Sequence, residues 1–381
     1  MPDSLASLQQ LIDQVSSKRF LDSAPPGDRG LAEDVRFPFL AIVGQREMKT
    51  ALALALINPA VSCVLLVGPR GTGKTTAVRG LADLVPFVQR SLCQYGCLAE
   101  DIEAGGMDAV CPDCAKKYGE GEPLTFPDPV RLVELPLNAR LEDVVGGLDE
   151  AAAGHKRMQI RRGVLAQADQ NLLYVDEVNL LADDIVDAIL DAAAQGLYTV
   201  RRGPVAATYR ARFALIGSMN PEEGRLRPQI LDRFGLRLIV GGLEGSDDRL
   251  EAYRRVRAYQ TNAKAFMAAY AGETLLMRQE IQAARNLVRS VELTRAAEKA
   301  GLEMVRKLQV DSLRAEITMF EAARAHAAAD GRTEATLADV RAIAPMALRL
   351  RRSQFMVDYF KTQADEENEI QDLLDRLLPA E

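Results

Sequence analysis

Tryptophan is absent from the 381-residue chain and aromatic residues make up only 5% of it, so aliphatic side chains must fill its core. Long apolar runs are missing too. The longest, such as ALALALI, stop far short of the roughly 20 residues that a membrane-spanning helix needs. The opening MPDSLASLQQLIDQV has no basic stretch followed by an apolar one, which argues against a secretory signal. Cysteines are few, five in all, and unevenly placed, which fits a reducing cytoplasm better than a disulfide framework. Net charge is −7 and the isoelectric point about 5.3, an acidic balance that argues against a nucleic-acid backbone as the main partner.

What is present is an ordinary globular composition, 48% hydrophobic and 27% charged, in a chain long enough for two domains. Leu5, Leu8, Leu11, Ile12 and Val15 recur at helical spacing, and DSAPPGDRG at 22–30 reads as a flexible leader. A main α/β domain is expected over 37–247. Its helix at 47–57 stops at Asn58-Pro59. VSCVLLVG, NLLYVDEV and ARFALIGSM are nearly uninterrupted apolar runs separated by helical patterns, the signature of a parallel sheet covered on both faces. From 248 to 381 glycine becomes rare and Ala, Arg, Glu and Leu dominate, so an all-α domain is expected. Its tail places Ile370, Leu373, Leu374, Leu377 and Leu378 on one stripe.

The first apolar run leads into GPRGTGKTT: Gly68, Pro69, Arg70, Gly71, Thr72, Gly73, Lys74, Thr75 and Thr76. The glycines let the loop wrap without side-chain clashes, so successive N–H groups converge on phosphate at a helix N-terminus. Lys74 would neutralise the β- and γ-phosphates, and Thr75 would bind Mg²⁺. A hundred residues on, Asp176 and Glu177 end an apolar run, where two acids are costly without chemistry to perform. Asp176 suits the Mg²⁺ shell, and Glu177 suits polarising the attacking water. Asn220 ends the third run, where its amide can hold that water. In SMNPEEGRLRPQILDRFGL three arginines follow, Arg225, Arg227 and Arg233. For Arg233, or for Arg314 in DSLRAEIT, a surface ion pair is the plainer reading when either is taken alone. Beside the phosphate loop and the acid pair, Arg233 is expected as an arginine finger on a neighbouring subunit and Arg314 as a lid residue over the γ-phosphate.

These segments, together with FPFLAIVGQREMKTALALALINP and LYVDEVNLLADDIVDAILDAAAQG, resemble subunit I of magnesium chelatase from about Phe37 to Arg352. The resemblance implies an AAA+ P-loop core with β-hairpin insertions and an all-α lid. It implies ATP and Mg²⁺ as cofactors and a homo-oligomeric ring, a hexamer. The ring would work with two further chelatase subunits, one integrin-like and one large and porphyrin-binding. Together they would insert Mg²⁺ into protoporphyrin IX for chlorophyll or bacteriochlorophyll synthesis. On that pattern Ile42 and Val43 lie by the adenine, Asn220 is sensor 1, Arg233 the trans finger and Arg314 sensor 2. The segments from LPLNARLEDVVGGLDEAAA to RRGVL and GLYTVRRGPVAATYRARF would form two hairpins. The second carries Arg201, Arg202, Arg210 and Arg212, and related AAA+ helicases use such a hairpin on DNA, but a solvated hairpin in a ring pore or a docking face is the preferred reading, in keeping with the acidic overall charge. A cobalt chelatase motor or a MoxR-type remodelling ATPase shares the same nucleotide chemistry and stays open as an alternative.

One stretch departs from the pattern. CQYGCLAEDIEAGGMDAVCPDC, within an insertion at 91–120, places Cys93, Cys97, Cys111 and Cys114 as C-x₃-C and C-x₂-C. Paired cysteines separated by a loop suit tetrahedral zinc. A redox-active dithiol pair and unliganded thiols are the other readings.

Overall fold

The computed structural model describes residues 35–61, 63–85, 87–93, 95–148, 160–202 and 205–351. The opening helix at 5–15, the leader at 22–30, the tip of the second hairpin and the apolar stripe of the tail therefore lie outside the described residues. Along the chain the strands are β1 (Cys63–Val67), β2 (Phe87–Ser91), β3 (Thr125–Pro129), β4 (Leu132–Leu135), β5 (Gly146–Leu148), β6 (Ile160–Arg162), β7 (Leu172–Val175), β8 (Leu197–Arg202), β9 (Val205–Arg210), β10 (Ala214–Met219) and β11 (Leu236–Ile239), and, within the part expected to be all-α, the two-residue strands β12 (Glu292–Leu293) and β13 (Glu334–Ala335), which pair in parallel.

Five of these form one sheet in the order β11-β1-β10-β7-β4, every pair parallel. The three expected strands are its centre, and all five residues of β1 are buried. The flanking strands β4 and β11 escaped the sequence reading because a charge interrupts each apolar run. Glu134 of β4 pairs with Arg79, and Arg237 of β11 is buried, donating to the Phe234 and Arg349 carbonyls. Six further strands form three antiparallel pairs, β2/β3, β5/β6 and β8/β9. The last two correspond to the two expected hairpins, the first with 149–159 outside the described residues.

Alternation along β1 sends side chains to two cores. Val64 and Leu66 join a cluster with Met48 and Leu52 of helix Arg46–Ile57. Leu65 and Val67 face the opposite layer, with Ile185 and Ile189 of helix Asp183–Gln195. Helices follow from Ser246 onward: Ser246–Thr261, Ala263–Leu287, Arg295–Lys307, Leu313–Ala329 and Leu337–Leu348. Met319 and Ile343 from these helices belong to the same buried cluster as Met48 and Val64, so the helical layer shares a core with the sheet. Alanines 315, 322, 323, 325, 327 and 328 are buried there. Small side chains let helices pack closely, which is how a chain without tryptophan fills its interior.

Candidate active site: a phosphate-binding cleft

Parallel register brings the carboxyl ends of three strands together. Val67 pairs with Met219, and Gly217 with Val175, so Gly68, Asp176 and Asn220 emerge at one edge. Ligands bind at that edge in open α/β sheets. The Gly68 N–H donates to the Met219 carbonyl at 3.0 Å, and a Cβ on Gly68 would stand 2.1 Å from the Val240 carbonyl oxygen. Only glycine allows that approach. Gly73 is left-handed, φ 85°, immediately before helix Lys74–Leu81, and nothing lies within 4 Å of where its Cβ would sit. The loop is thus an open cradle of N–H groups at a helix N-terminus, the fit a phosphate requires. Buried Lys74 reaches back over it, its Nζ donating to the Gly68 and Pro69 carbonyls, each at 2.7 Å. Burial lowers the Lys74 pKa, and the carboxylates of Asp176, Glu177 and Glu223 oppose that pull.

Beside the cradle lies a cluster of hard oxygen donors. Thr75 Oγ1 stands 3.4 Å from Asp176 Oδ2 and 3.1 Å from the Tyr174 hydroxyl. Tyr174 donates to Asp176 Oδ1 at 2.8 Å, and the Ser218 hydroxyl donates to the same oxygen. A threonine hydroxyl and an adjacent carboxylate at a phosphate cradle fit Mg²⁺. Burial raises the Tyr174 pKa, so its hydroxyl is a donor at neutral pH. Glu177 has φ 48°, left-handed for a residue with a full side chain, and its N–H donates to Ser218 Oγ at 3.0 Å. Its carboxylate meets Arg70 at 3.0 Å, and Arg70 also meets Glu223 at 2.6 Å. Asn220 is buried, and its Oδ1 accepts from the Glu222 N–H at 3.2 Å.

One hollow is lined by residues 70–76, 176, 177 and 218–220. A second, more apolar one shares Arg70, Gly71, Thr72, Gly73 and Thr76 with it and is lined by Ile42, Val43 and Val256. Ile42 is fixed there by Lys49, which donates to its carbonyl. The structure therefore brings together Ile42, Val43, the whole phosphate loop, Asp176, Glu177 and Asn220. Tyr174, Ser218 and Glu223 were missed by sequence reasoning. A period-2 signal was available for two of them, because Tyr174 stands two residues before Asp176 and Ser218 two before Asn220.

Arg233 and Arg314 line neither hollow. Arg233 ends helix Pro228–Arg233 and pairs with Asp191 at 2.7 Å and Asp187 at 3.7 Å. Arg227 pairs with Asp183 at 3.0 Å, and Arg225 is exposed. Arg314, expected over its own nucleotide, instead meets Asp232 at 3.3 Å, next to Arg233 in sequence. The reason is packing: helix Leu313–Ala329 is buried against helix Arg46–Ile57 through Met319 and Ala322, which commits its first turn to the Asp232 side. In the second hairpin, Arg210 pairs with Asp101 at 3.3 Å, and Arg212 with Asp101 and Asp169 at 3.4 Å each.

Residues 303–373 match the AAA lid domain family and residues 148–236 the MCM P-loop domain family, the latter span holding Asp176, Glu177, Asn220 and Arg233. The chain is 42% identical over 323 residues to the magnesium-chelatase subunit ChlI homolog of Methanocaldococcus jannaschii, covering 84% of this chain and 87% of that protein. It belongs to the magnesium-chelatase subunit I family of AAA+ ATPases. A second family member, the magnesium-chelatase 38 kDa subunit of Acidiphilium rubrum, is 40% identical over 83% of this chain and 90% of its own length. A crystal structure of a Cytophaga hutchinsonii protein shares the fold at 19% identity, with a TM-score of 0.52 over 82% of this chain and 84% of that one. No helix among the described residues is long and apolar enough to cross a membrane.

Proposed function

We propose that this chain is the ATP-hydrolysing motor subunit of a magnesium chelatase, working in the cytoplasm as a homo-oligomeric ring. Its partners are an integrin-like subunit and a porphyrin-binding subunit that receives Mg²⁺ into protoporphyrin IX. The observation that carries the reading is the shared hollow in which Lys74, Thr75, Asp176 and Glu177 meet at one sheet edge. Loop N–H groups and Lys74 bind and orient the phosphates of ATP. Thr75 and Asp176 would hold Mg²⁺, which when bound would offset the negative charge of the phosphates. Glu177 takes the proton of the attacking water, and Asn220 positions that water. Ile42 and Val43 wall the adenine. Arg233, with Arg314 beside Asp232, serves the nucleotide of the neighbouring subunit.

Reconstitution with the two partner subunits, ATP, Mg²⁺ and protoporphyrin IX tests this. Appearance of the magnesium-porphyrin fluorescence, lost without ATP, is the expected result. Insertion of cobalt alone would move the assignment to a cobalt chelatase, and ATP turnover with no metal insertion to a remodelling ATPase. A DNA-acting role is disfavoured because Arg210 and Arg212 of the hairpin are engaged by Asp101 and Asp169. Salt-sensitive, ATP-dependent retention of DNA on a filter would reverse that judgement.

A further inference from the structure

Residues 92–124 form a small lobe between β2 and β3, with helices Ala99–Gly105 and Pro112–Gly119. Its buried cluster holds just two aliphatic residues, Ile102 and Leu124, beside Cys97 and Cys114. A segment under ~40 residues with so little apolar burial ordinarily needs a cross-link, a metal or packing against the rest of the fold to hold its shape. The sulfurs of Cys93, Cys97, Cys111 and Cys114 all lie within 4.8 Å of one another. Two disulfides would need only two close pairs. Mutual proximity of all four is the requirement of one shared ion. In a tetrahedral zinc thiolate with Zn–S of ~2.3 Å the sulfurs stand about 3.8 Å apart, so slight contraction completes the shell.

The backbone is arranged for thiolates. The Tyr95 N–H points at Cys93 Sγ at 3.3 Å, and the Cys111 N–H at Cys97 Sγ at 3.4 Å. Gly96, φ 77°, makes the turn that brings Cys97 under Cys93. Cys111 occupies the N-cap position of helix Pro112–Gly119 and Cys114 lies in its first turn, which sets the C-x₂-C pair at one helix end.

The lobe also grips the second hairpin. Tyr95 stacks on Tyr209 of β9, ring centres 5.7 Å apart, and its carbonyl accepts the Arg210 N–H at 3.2 Å. Arg210 donates to the Ala109 carbonyl at 3.0 Å and Arg212 to the Gly96 carbonyl at 2.8 Å. Each of these contacts falls on a residue within, or between, the two cysteine pairs. We propose that Cys93, Cys97, Cys111 and Cys114 hold one structural zinc ion, and that the zinc-held lobe fixes the base of the β8–β9 hairpin leading into β10. Neither half depends on the porphyrin reading.

Full-length protein purified in reductant without chelator should carry one zinc per chain by elemental analysis. Cys97→Ser and Cys114→Ser should lose it, and Cys63→Ala should keep it. Should the serine variants fail to fold, cobalt(II) added to zinc-stripped wild-type protein gives the second reading: the visible bands of a tetrahedral tetrathiolate centre are expected. Hydrogen exchange on the stripped protein should speed up at the β8–β9 amides while amides of helix Leu337–Leu348 stay unchanged. Folded, reduced protein with neither zinc nor cobalt uptake, or with disulfides in place of metal, overturns the site. Unaltered hairpin exchange after zinc removal overturns the coupling.

Discussion

Glu177 holds a backbone conformation, φ 48°, that a side chain of its type rarely adopts. Such a residue carries about 1 kcal/mol or more of strain, which surrounding contacts must overcome. Here the N–H bond to Ser218 does part of that, and the result is a carboxylate aimed into the phosphate hollow. Glu177→Gln keeps the shape and removes the carboxylate that we propose as the base. ATP affinity should be retained while phosphate release falls by about 10²- to 10⁴-fold. Turnover equal to wild type would remove Glu177 from the mechanism. Gly68 makes a second residue-scale point. Because an alanine Cβ would sit 2.1 Å from the Val240 carbonyl, Gly68→Ala must part β1 from the residue after β11. Thermal unfolding should register a loss of about 1–3 kcal/mol, the usual cost of overpacking. Nucleotide affinity should fall with it. The residues legible in the sequence at this scale, Lys74, Thr75, Asp176 and Glu177, belong to motifs whose spacing on the sheet edge brings them into one hollow. Tyr174 and Ser218 were not, because a hydroxyl inside a strand looks the same whether it bonds a neighbouring backbone or the Asp176 carboxylate of the cleft.

Among the elements, those with a single physical signature were read correctly. β1, β7 and β10 are continuous apolar runs, and such runs are buried on both faces. β4 and β11 were hidden by Glu134 and Arg237, whose partners, Arg79 in one case and the Phe234 and Arg349 carbonyls in the other, are distant in sequence or set by the fold. The helical layer hides a comparable knot. Asp339, fully buried, caps helix Leu337–Leu348 through the Thr336 N–H at 2.7 Å and binds Arg332 at 2.6 and 2.8 Å and His326 at 2.7 Å. His326, Asp330 and Asp339 have the makings of a metal cluster, but Arg332 sits on both carboxylates and already supplies the positive charge. Burial pushes the Asp339 carboxyl up, yet Arg332, Thr336 and His326 outweigh it and hold it well below the usual carboxylate range. A depressed folded-state pKa stabilises above the unfolded value, near 4, and the contribution drains away as pH falls through the lower folded value. Asp339→Asn should therefore cost about 1–2 kcal/mol at pH 7, discounted because Arg332 is partly exposed. The gap to wild type in melting temperature should close as the pH is lowered below 4. A gap independent of pH would show that the carboxylate charge is not what the knot uses.

At the scale of the whole molecule, the expected two-part division meets a core common to both parts, with Met319 and Ile343 packed in the cluster that holds Val64 under the phosphate loop. Sequence composition registers the change from glycine-bearing α/β segments to alanine-rich helices, but not which surfaces the helices choose, since that is decided by contacts far apart in the chain. The choice has a consequence for the arginines. With helix Leu313–Ala329 seated against helix Arg46–Ile57, Arg314 stands at Asp232 and Arg233 at Asp191, and both lie away from the hollow of their own chain. The Arg233 guanidinium, held by the exposed carboxylates of Asp187 and Asp191, is weakly committed, by at most about 1 kcal/mol. A neighbour's γ-phosphate can therefore compete for it. Arg233→Ala should bind ATP normally, because the cradle is untouched, and lose hydrolysis by about 10³-fold or more. Lys74→Ala should be inactive for the opposite reason, with its arginine intact and its cradle impaired. If the proposed ring is right, mixing the two chains creates sites in which an intact Lys74 faces an intact Arg233 from the next subunit. Phosphate release should then rise above that of either variant alone, in proportion to the mixed rings seen by native mass spectrometry. No recovery in rings demonstrably mixed would place Arg233 within its own chain, where Asp187 and Asp191 already give it a structural task.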